Sequence, residues 1–451
     1  MKCLKYSQQD YIRLLFIYSS CIFAFLIPQQ FSDSFRFLLY LMSSVFAFAI
    51  IIYSIINKKN DSIANNAYPI KNVSSYALVL FGIVSVIINI VHKEFLVHGL
   101  AACTELLLLY VSFMPRDSAH LEKEIQSIPL YYSFISLFGS VVSLLIIPIY
   151  KIYPQITEIY INNNISTLSR MVITAISEPS RLTGYGLHAN VTGLLCGMGV
   201  ICSIIIILKN KDNKLWKYII SAINIITCCV VLLISSSRTS ILAACGFTFL
   251  LLIVYFAQRG EKEKRVKQIL LIALLLAICC LIILFIVMIA SSEARTVIFN
   301  KIIRVDSIKT ATGRTILQEK VLKAAKISPF IGISQEDVAD LTTVGNSHNV
   351  FIEILAVTGV PNLIIFSLGI LFIIVSAVKI GIKSKYLNSE SALNYAICTG
   401  LFVAILIDNS FEMTLLYSFN AVFAIEIWVL GLIPMIWNNL ELSINNSKSS
   451  V

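Results

Sequence analysis

Stretches of about 20 mostly apolar residues, the length that carries a helix across the hydrocarbon core of a bilayer, recur along the whole chain. Lipid cannot satisfy backbone N–H and C=O groups, so a chain that crosses it repeatedly pairs these groups within helices. We place twelve spans, at residues 11–27, 35–56, 74–91, 95–113, 130–150, 188–208, 217–234, 239–257, 268–290, 361–378, 393–407 and 413–437. The sequence therefore predicts an all-α fold, a polytopic membrane helical bundle of about twelve transmembrane helices.

The composition agrees with a membrane protein rather than a soluble one. Of the 451 residues, 57% are hydrophobic and 13% are charged, whereas a soluble domain carries about 25% charged residues. Every Cys except Cys3 falls in a predicted span, where it acts as a small apolar residue. We therefore expect no disulfide framework.

Basic residues in the short loops set the orientation. One such loop holds Lys209, Lys211, Lys214 and Lys217, and another holds the basic residues of 259–267. Short cytoplasmic loops carry an excess of Lys and Arg, so the N- and C-termini are both expected in the cytoplasm. The net charge of +10 is then mainly a topology signal that also suits anionic membrane lipids, and it requires no nucleic acid partner.

We expect a single membrane domain over residues 1–451, with two long outer loops at 151–187 and 291–348. Both mix apolar and charged residues, and we expect short amphipathic helices in them. In the second loop, Thr315 and Gln318 have the spacing of a capping box, and Ser328-Pro329 and Gly332 end the helix that follows. Its apolar positions recur at helical spacing opposite three lysines; they are Leu317, Val321, Ala324 and Ala325. This pattern predicts a helix that lies at the membrane interface.

Arg238 lies in a short turn, Ser235-Ser-Ser-Arg-Thr-Ser240, between two predicted spans. Thr239 and its neighbours open the next helix, whose dipole and free N–H groups favour a phosphate at this end. The plain alternative is an interfacial arginine that extends to the lipid headgroups.

Arg314 stands directly before the amphipathic helix, in Thr312-Gly-Arg-Thr315. A guanidinium binds phosphate oxygens through two parallel hydrogen bonds, and the free N–H groups of the helix can face the same anion. The alternative is a solvated loop arginine.

His348 and Asn349 directly precede an apolar run, at the point where the second loop re-enters the membrane. The positive end of a helix dipole favours a neutral imidazole, which can act as a base or a hydrogen-bond partner. A structural histidine is the alternative.

Arg181 begins a fourth polar segment, Arg181-Leu-Thr-Gly-Tyr-Gly-Leu-His-Ala-Asn190, which leads into a span. Its two glycines permit close approach of the backbone to a ligand. Arg181 and Asn190 are therefore candidate binding residues, with a structural role equally open.

The sequence does not contain the residue patterns of a zinc site or of a nucleotide-binding loop. The five His do not have the spacing of a zinc site, and Glu336, Asp337 and Asp340 form the only dense acidic group of the outer loops. No Gly-rich phosphate loop with a following Lys is present, which argues against nucleotide energy. Outer arginines without a metal suit a diphosphate leaving group, and we expect no metal site and no cofactor.

These segments, in this order, resemble the O-antigen polymerase and O-antigen ligase superfamily. The resemblance covers about residues 180–380 and rests on four short motifs: Arg181-Leu-Thr-Gly with Asn190, Ser236-Ser-Arg-Thr-Ser240, Thr312-Gly-Arg314 with Pro329-Phe-Ile-Gly332, and Ser347-His-Asn349 with Gly359. The chain departs from the family pattern at Thr358-Gly-Val-Pro361, where the Pro should kink or restart the helix.

The resemblance implies an enzyme of the bacterial cytoplasmic membrane that uses undecaprenyl-diphosphate-linked glycans and needs neither metal nor nucleotide. Arg238 and Arg314 would match the family's diphosphate-binding arginines, and His348 its loop histidine, with Arg181, Asn190, Thr239 and Asn349 binding substrate. Membrane lipids and a chain-length regulator protein are the expected partners.

A polymerase of lipid-linked repeat units is the function we expect. An O-antigen ligase, which transfers the polysaccharide to lipid A core, is the nearest alternative, because it differs only in the acceptor. A lipid-linked sugar transporter or flippase is an alternative from another class, but transporters often carry charges at mid-membrane, whereas the notable charges here lie in outer loops.

Overall fold

A computed structural model describes residues 8–25, 33–56, 72–94, 97–152, 189–209, 214–235, 237–257, 314–342, 347–383, 389–411 and 423–449. Within these ranges the chain forms thirteen α-helices and no strands. The helices are α1 (Gln8–Phe25), α2 (Asp33–Ile56), α3 (Val73–Val91), α4 (Val97–Ser112), α5 (Ser118–Ile152), α6 (Ala189–Lys209), α7 (Leu215–Ser235), α8 (Arg238–Ala257), α9 (Arg314–Ala325), α10 (Gln335–Thr342), α11 (Val350–Lys383), α12 (Ser389–Phe411) and α13 (Phe423–Ser449).

Eight of the described helices are long and apolar enough to cross a membrane, namely α2, α3, α5, α6, α7, α11, α12 and α13. Shorter apolar helices cover Val97–Ser112 in α4 and Thr239–Leu251 in α8, where the sequence also predicted spans. The expected all-α polytopic class is thereby confirmed. The expected span at 268–290 lies outside the described residues.

Helix α5 starts at Ser118, well before residue 130, where the sequence predicted its span. The early turns are helical because they pack: Leu121 is buried, and buried Glu124 forms an ion pair with Arg116 Nε at 3.0 Å. The other carboxylate oxygen of Glu124 accepts a hydrogen bond from Trp428 Nε1 at 2.9 Å. A hydropathy pattern does not detect such an extension, because it treats Arg116 and Glu124 as exposed polar residues, whereas here they are buried and bonded to each other.

The chain divides into two compact units. The first comprises Met1–Tyr131, Leu317–Tyr386 and Ile397–Val451, and the second comprises Tyr132–Ile316 and Leu387–Ala396. The single membrane domain over 1–451 stays a prediction.

In the second unit, the amide of Asn224 on α7 joins three helices. Its Nδ2 lies 3.0 Å from Ser133 Oγ and from Ser136 Oγ on α5, and 2.8 Å from Ser203 Oγ on α6. Gly199 on α6 permits this approach, because a Cβ there would lie 2.4 Å from that of Ser136. Polar contacts between small residues replace the hydrophobic driving force that lipid does not provide.

Replacing Asn224 with Leu should lower the free energy of unfolding by about 1–2 kcal/mol, since three buried serines lose a partner. Denaturant titration in mixed micelles measures the change. Ile223→Leu, on the exposed side of the same helix, is the control and should stay near the wild-type value. Equal stability of the Asn224 variant would show that the network contributes nothing.

The first unit is built around packed helix pairs. Phe81 on α3 and Phe366 on α11 have ring centroids 5.0 Å apart, and Asn362 Nδ2 donates to Ser85 Oγ at 3.0 Å between the same helices. This pairing fixes α11 laterally against α3.

Helix α11 is interrupted at Gly359, where φ is 79° and ψ is 175°. Only glycine adopts this conformation readily. The sequence predicted a kink or restart caused by Pro361, and the structure places the break two residues earlier. Pro361 then lies in the first turn of the second segment, where a residue without an N–H is tolerated.

Candidate functional site

The loop histidine lies at the N-terminal end of α11. His348 is half-buried and has a φ of 53°, a left-handed conformation in which His is enriched among non-glycine residues. Such a backbone costs roughly 1–2 kcal/mol, so its surroundings must hold it.

Asn349 caps α11. Its Oδ1 accepts hydrogen bonds from the N–H groups of Phe351 and Ile352, each at 3.0 Å, and its Nδ2 donates to Ser410 O at 2.8 Å. These bonds use both ends of the amide and anchor the loop to α12. Substrate binding by Asn349 stays a prediction, while the contacts assign it a capping role.

Glu353 holds the other side of the loop. The residue is fully buried, and its Oε2 accepts the backbone N–H of Ser347 at 2.8 Å. Its Oε1 accepts from Gln335 Nε2 of α10, also at 2.8 Å. A buried carboxylate with one hydrogen bond to each oxygen fixes the position of the residue directly before His348.

Sequence reasoning missed Glu353. The available signal was a single acidic residue inside the apolar run Val350–Val357, which is costly at a membrane boundary unless the carboxylate is bonded. The partners that make sense of it come from tertiary structure.

The structure confirms the helix predicted in the second loop as α9, but α9 begins at Arg314, so Thr315 is its second residue and the predicted Thr315 cap is wrong. The sequence predicted an apolar stripe at the membrane interface, but two of its four residues pack on protein: Val321 and Ala325 are buried against Val338, Ala356 and Val357 of α10 and α11. Helical spacing identifies an apolar face but not what covers it.

Gln318 ties α9 to the histidine loop. Its Nε2 donates to the carbonyl of Ser347 at 3.4 Å, a long bond that the capping-box interpretation did not include.

The turn after α9 docks on the break in α11. Val360 N donates to Pro329 O and Ile333 N donates to Ala356 O, both at 2.7 Å. Gly332, with a φ of 71°, and Gly359 face the opposite backbone so closely that an added Cβ would lie 2.4 Å from a main-chain atom. The motif glycines therefore serve a backbone-to-backbone contact.

Ser334 caps α10, and the acidic residues at the start of this helix take part in hydrogen bonds there. Ser334 Oγ donates to Asp337 Oδ2 at 2.7 Å, Asp337 N donates to Ser334 Oγ at 3.0 Å, and Glu94 Oε1 accepts the N–H of Glu336 at 3.1 Å. Over the described ranges, no group of three His, Cys, Asp or Glu side chains is arranged to hold a metal ion.

In the second unit, two of the predicted motifs meet where α6 and α8 begin. Ser237 Oγ donates to Asn190 Oδ1 at 3.0 Å, and Ser240 Oγ donates to Asn190 O at 2.9 Å. Thr239 Oγ1 lies 3.4 Å from Ser237 Oγ. A Cβ at Gly193 would lie 2.6 Å from that of Ser237, so the glycine permits the approach. Two helix N-termini and their hydroxyls thus lie together.

The arginines are placed by their backbones. Arg238 is the first residue of α8 and Arg314 is the first residue of α9, while Arg181 lies outside the described residues. The convergence of Arg238, Arg314 and His348 on one substrate stays a prediction.

Part of the chain matches the model of a known family. Residues 223–367 match the family model described as O-antigen ligase. The matched stretch falls within the region 180–380, on which the resemblance rested, and it includes Arg238, Arg314 and His348. No curated protein matches the chain.

Proposed function

We propose that this chain, which residues 223–367 identify as a member of the O-antigen polymerase and ligase superfamily, polymerises lipid-linked oligosaccharide repeats. The donor is an undecaprenyl-diphosphate-linked glycan, and the product is O-antigen, capsular or exopolysaccharide. The reaction takes place on the outer face of the bacterial cytoplasmic membrane, with both termini of the chain in the cytoplasm.

One observation carries the proposal: each reactive motif stands at the N-terminal end of a helix. Arg238 opens α8, Arg314 opens α9, and His348 precedes the cap of α11. The helix dipole favours anions at these ends, and a guanidinium adds two charge-assisted hydrogen bonds. A diphosphate has the charge and the oxygen geometry that such ends bind.

In the transfer step, His348 orients an acceptor hydroxyl and takes its proton. The acceptor oxygen forms a bond to the anomeric carbon of the donor glycan as the bond from that carbon to the diphosphate oxygen breaks. Arg238 and Arg314 stabilise the negative charge on the departing undecaprenyl diphosphate. Because guanidinium groups neutralise that charge, the proposed reaction requires no metal.

Replacing Arg314 with Ala should abolish polymer and cause single lipid-linked units to accumulate. Arg314→Lys should rescue the product only in part, because a point charge lacks the two-pronged geometry of a guanidinium. Gel separation of labelled glycans from cells or vesicles measures both. Lys323→Ala is the control, since it removes an exposed cation of the same helix whose partner is Glu319. Normal chain lengths in Arg314→Ala would contradict the proposal.

The ligase alternative is supported by the description of the matched family, O-antigen ligase. The two reactions differ in the acceptor, so purified protein with one defined lipid-linked repeat separates them. Chain growth without another acceptor supports the polymerase, whereas transfer that occurs only after lipid A core is added supports the ligase.

The transporter alternative gains one observation that sequence reasoning did not weigh. Glu105 of α4 is buried, and neither of its carboxylate oxygens has a hydrogen-bond partner among the residues that the structure describes. Ionisable groups inside membranes often mark transport pathways. Protein-containing vesicles supplied with one lipid-linked repeat distinguish the two classes, because an enzyme lengthens the glycan and a transporter moves it unchanged.

A further inference from the structure

The turn between α9 and α10 exposes large apolar side chains. Ile327 is 83% exposed, Phe330 is 75% exposed and Ile331 is 47% exposed. We call residues 327–331 the apolar turn. Exposed apolar side chains grouped in one short segment usually mark a contact surface.

The backbone of the apolar turn is well anchored. Gly332 N donates to Ser328 O at 2.9 Å, and Pro329 O accepts the N–H of Val360. A ring nitrogen of His92 lies 3.1 Å from Ile331 O. The side chains are therefore presented outward by a fixed backbone.

The apolar turn adjoins the exposed apolar faces of two long apolar helices. Its anchors, His92 and Val360, follow α3 and begin the second segment of α11, and both of these helices are long and apolar enough to cross a membrane. The exposed large side chains of these two helices run up to the anchors; they are Ile87, Ile90 and Val91 of α3 and Val360, Ile364, Leu368 and Leu371 of α11. Exposed apolar faces of helices that cross a membrane are expected to contact acyl chains, and the turn lies at the end of these faces.

Charge on the preceding helix agrees with this location. Lys320, Lys323 and Lys326 are exposed on the turns that lead into residues 327–331. Basic side chains at a membrane surface interact favourably with anionic headgroups, while neighbouring apolar side chains enter the acyl region.

We propose that Ile327, Phe330 and Ile331 insert among the acyl chains of the nearest bilayer leaflet. The insertion fixes the depth of the segment that leads, through Gln335 and Glu353, to the His348 loop. It holds the same way whichever reaction the chain catalyses. The occupant is bulk phospholipid, not the polyprenyl tail of a donor.

Photocrosslinking tests the proposal in the full chain. Phe330→p-benzoylphenylalanine replaces one exposed aromatic with another and reacts with nearby C–H bonds. The protein is reconstituted into nanodiscs of phosphatidylethanolamine and phosphatidylglycerol, irradiated, and examined by intact-mass spectrometry. Position 364, on the lipid-facing side of α11, is the positive control, and position 336, on the exposed side of α10, is the negative control.

Phospholipid adducts at position 330 should approach the yield at position 364 and exceed the yield at position 336 at least several-fold. A yield at 330 equal to that at 336 would overturn the proposal. A second set of nanodiscs contains added undecaprenyl phosphate. Adducts at 330 that form with the polyprenyl chain alone would assign the surface to the donor and would also overturn the proposal.

Discussion

Glu353→Gln should lower the turnover number of glycan transfer by about 100-fold, the effect that a displacement of about 1 Å can have on a reacting group. The carboxylate accepts one hydrogen bond at each oxygen, from Ser347 N and from Gln335 Nε2. A Gln amide offers one oxygen and one nitrogen, so one of those donors would meet another donor. The loop that carries His348 would then shift.

The experiment compares initial rates of chain growth in vesicles over a range of donor concentrations. Because Glu353 is a positioning residue, the turnover number should fall while KM for the donor changes little. Glu336→Gln is the matched control, since Glu336 is exposed on α10 and contributes only its backbone N–H to a bond. The control should keep the wild-type rate.

A reciprocal exchange distinguishes positioning from a general loss of structure. In the double variant Gln335→Glu with Glu353→Gln, the amide at 353 can accept from Ser347 N and donate to the carboxylate at 335. The bond from Ser347 N is kept, the bond between residues 335 and 353 is restored with donor and acceptor exchanged, and a large part of the activity should return. A Glu353→Gln protein with full turnover would rule out the positioning role.

Gly359→Ala should destabilise the first unit by about 1–3 kcal/mol from the backbone conformation alone. An added Cβ would lie 2.4 Å from Phe330 O and 2.5 Å from Phe330 C, and backbone atoms cannot move aside as a side chain can. The apolar turn would have to leave its place on α11. Thermal unfolding in detergent should therefore show a lower midpoint.

Val360→Ala is the matched control for this change. It shortens a partly exposed side chain and keeps the backbone bond from Val360 N to Pro329 O. Its stability should stay within about 0.5 kcal/mol of the wild type, as for most surface changes. If the two variants unfolded alike, the contact between the two backbones would not be important.

The sequence predicted best what depends on local pattern. Apolar runs located the eight long spans, and helical spacing located α9. The burial of Val321 and Ala325 against protein could not be predicted, because the residues that cover them come from α10 and α11. Likewise, the position of the break in α11 depends on the close contact between Gly359 and Phe330, which the sequence does not show. The sequence pointed to Pro361 instead.

In the candidate site, too, the sequence identified the residues that belong to local motifs and missed one whose partners are distant in the chain. Asn190 and the Ser237–Ser240 segment were singled out by motif, and their contact required only that two helix starts lie side by side. Glu353 was missed because Ser347 and Gln335 are not three or four residues away from it, so no helical spacing predicts their hydrogen bonds. A carboxylate that orders a loop becomes evident only when the loop is folded.

The break in α11 at Gly359 also makes this helix depend on the length of the loop segment that precedes α10. Residues 329–333 bridge the break at Gly359: Pro329 O accepts the Val360 N–H on one side, and Ile333 N donates to the Ala356 carbonyl on the other. Insertions or deletions within residues 329–333 would leave the Val360 N–H and the Ala356 carbonyl without these partners, whereas changes of length elsewhere in the loop would not. We therefore expect changes of loop length to be tolerated only in the stretches that flank residues 329–333.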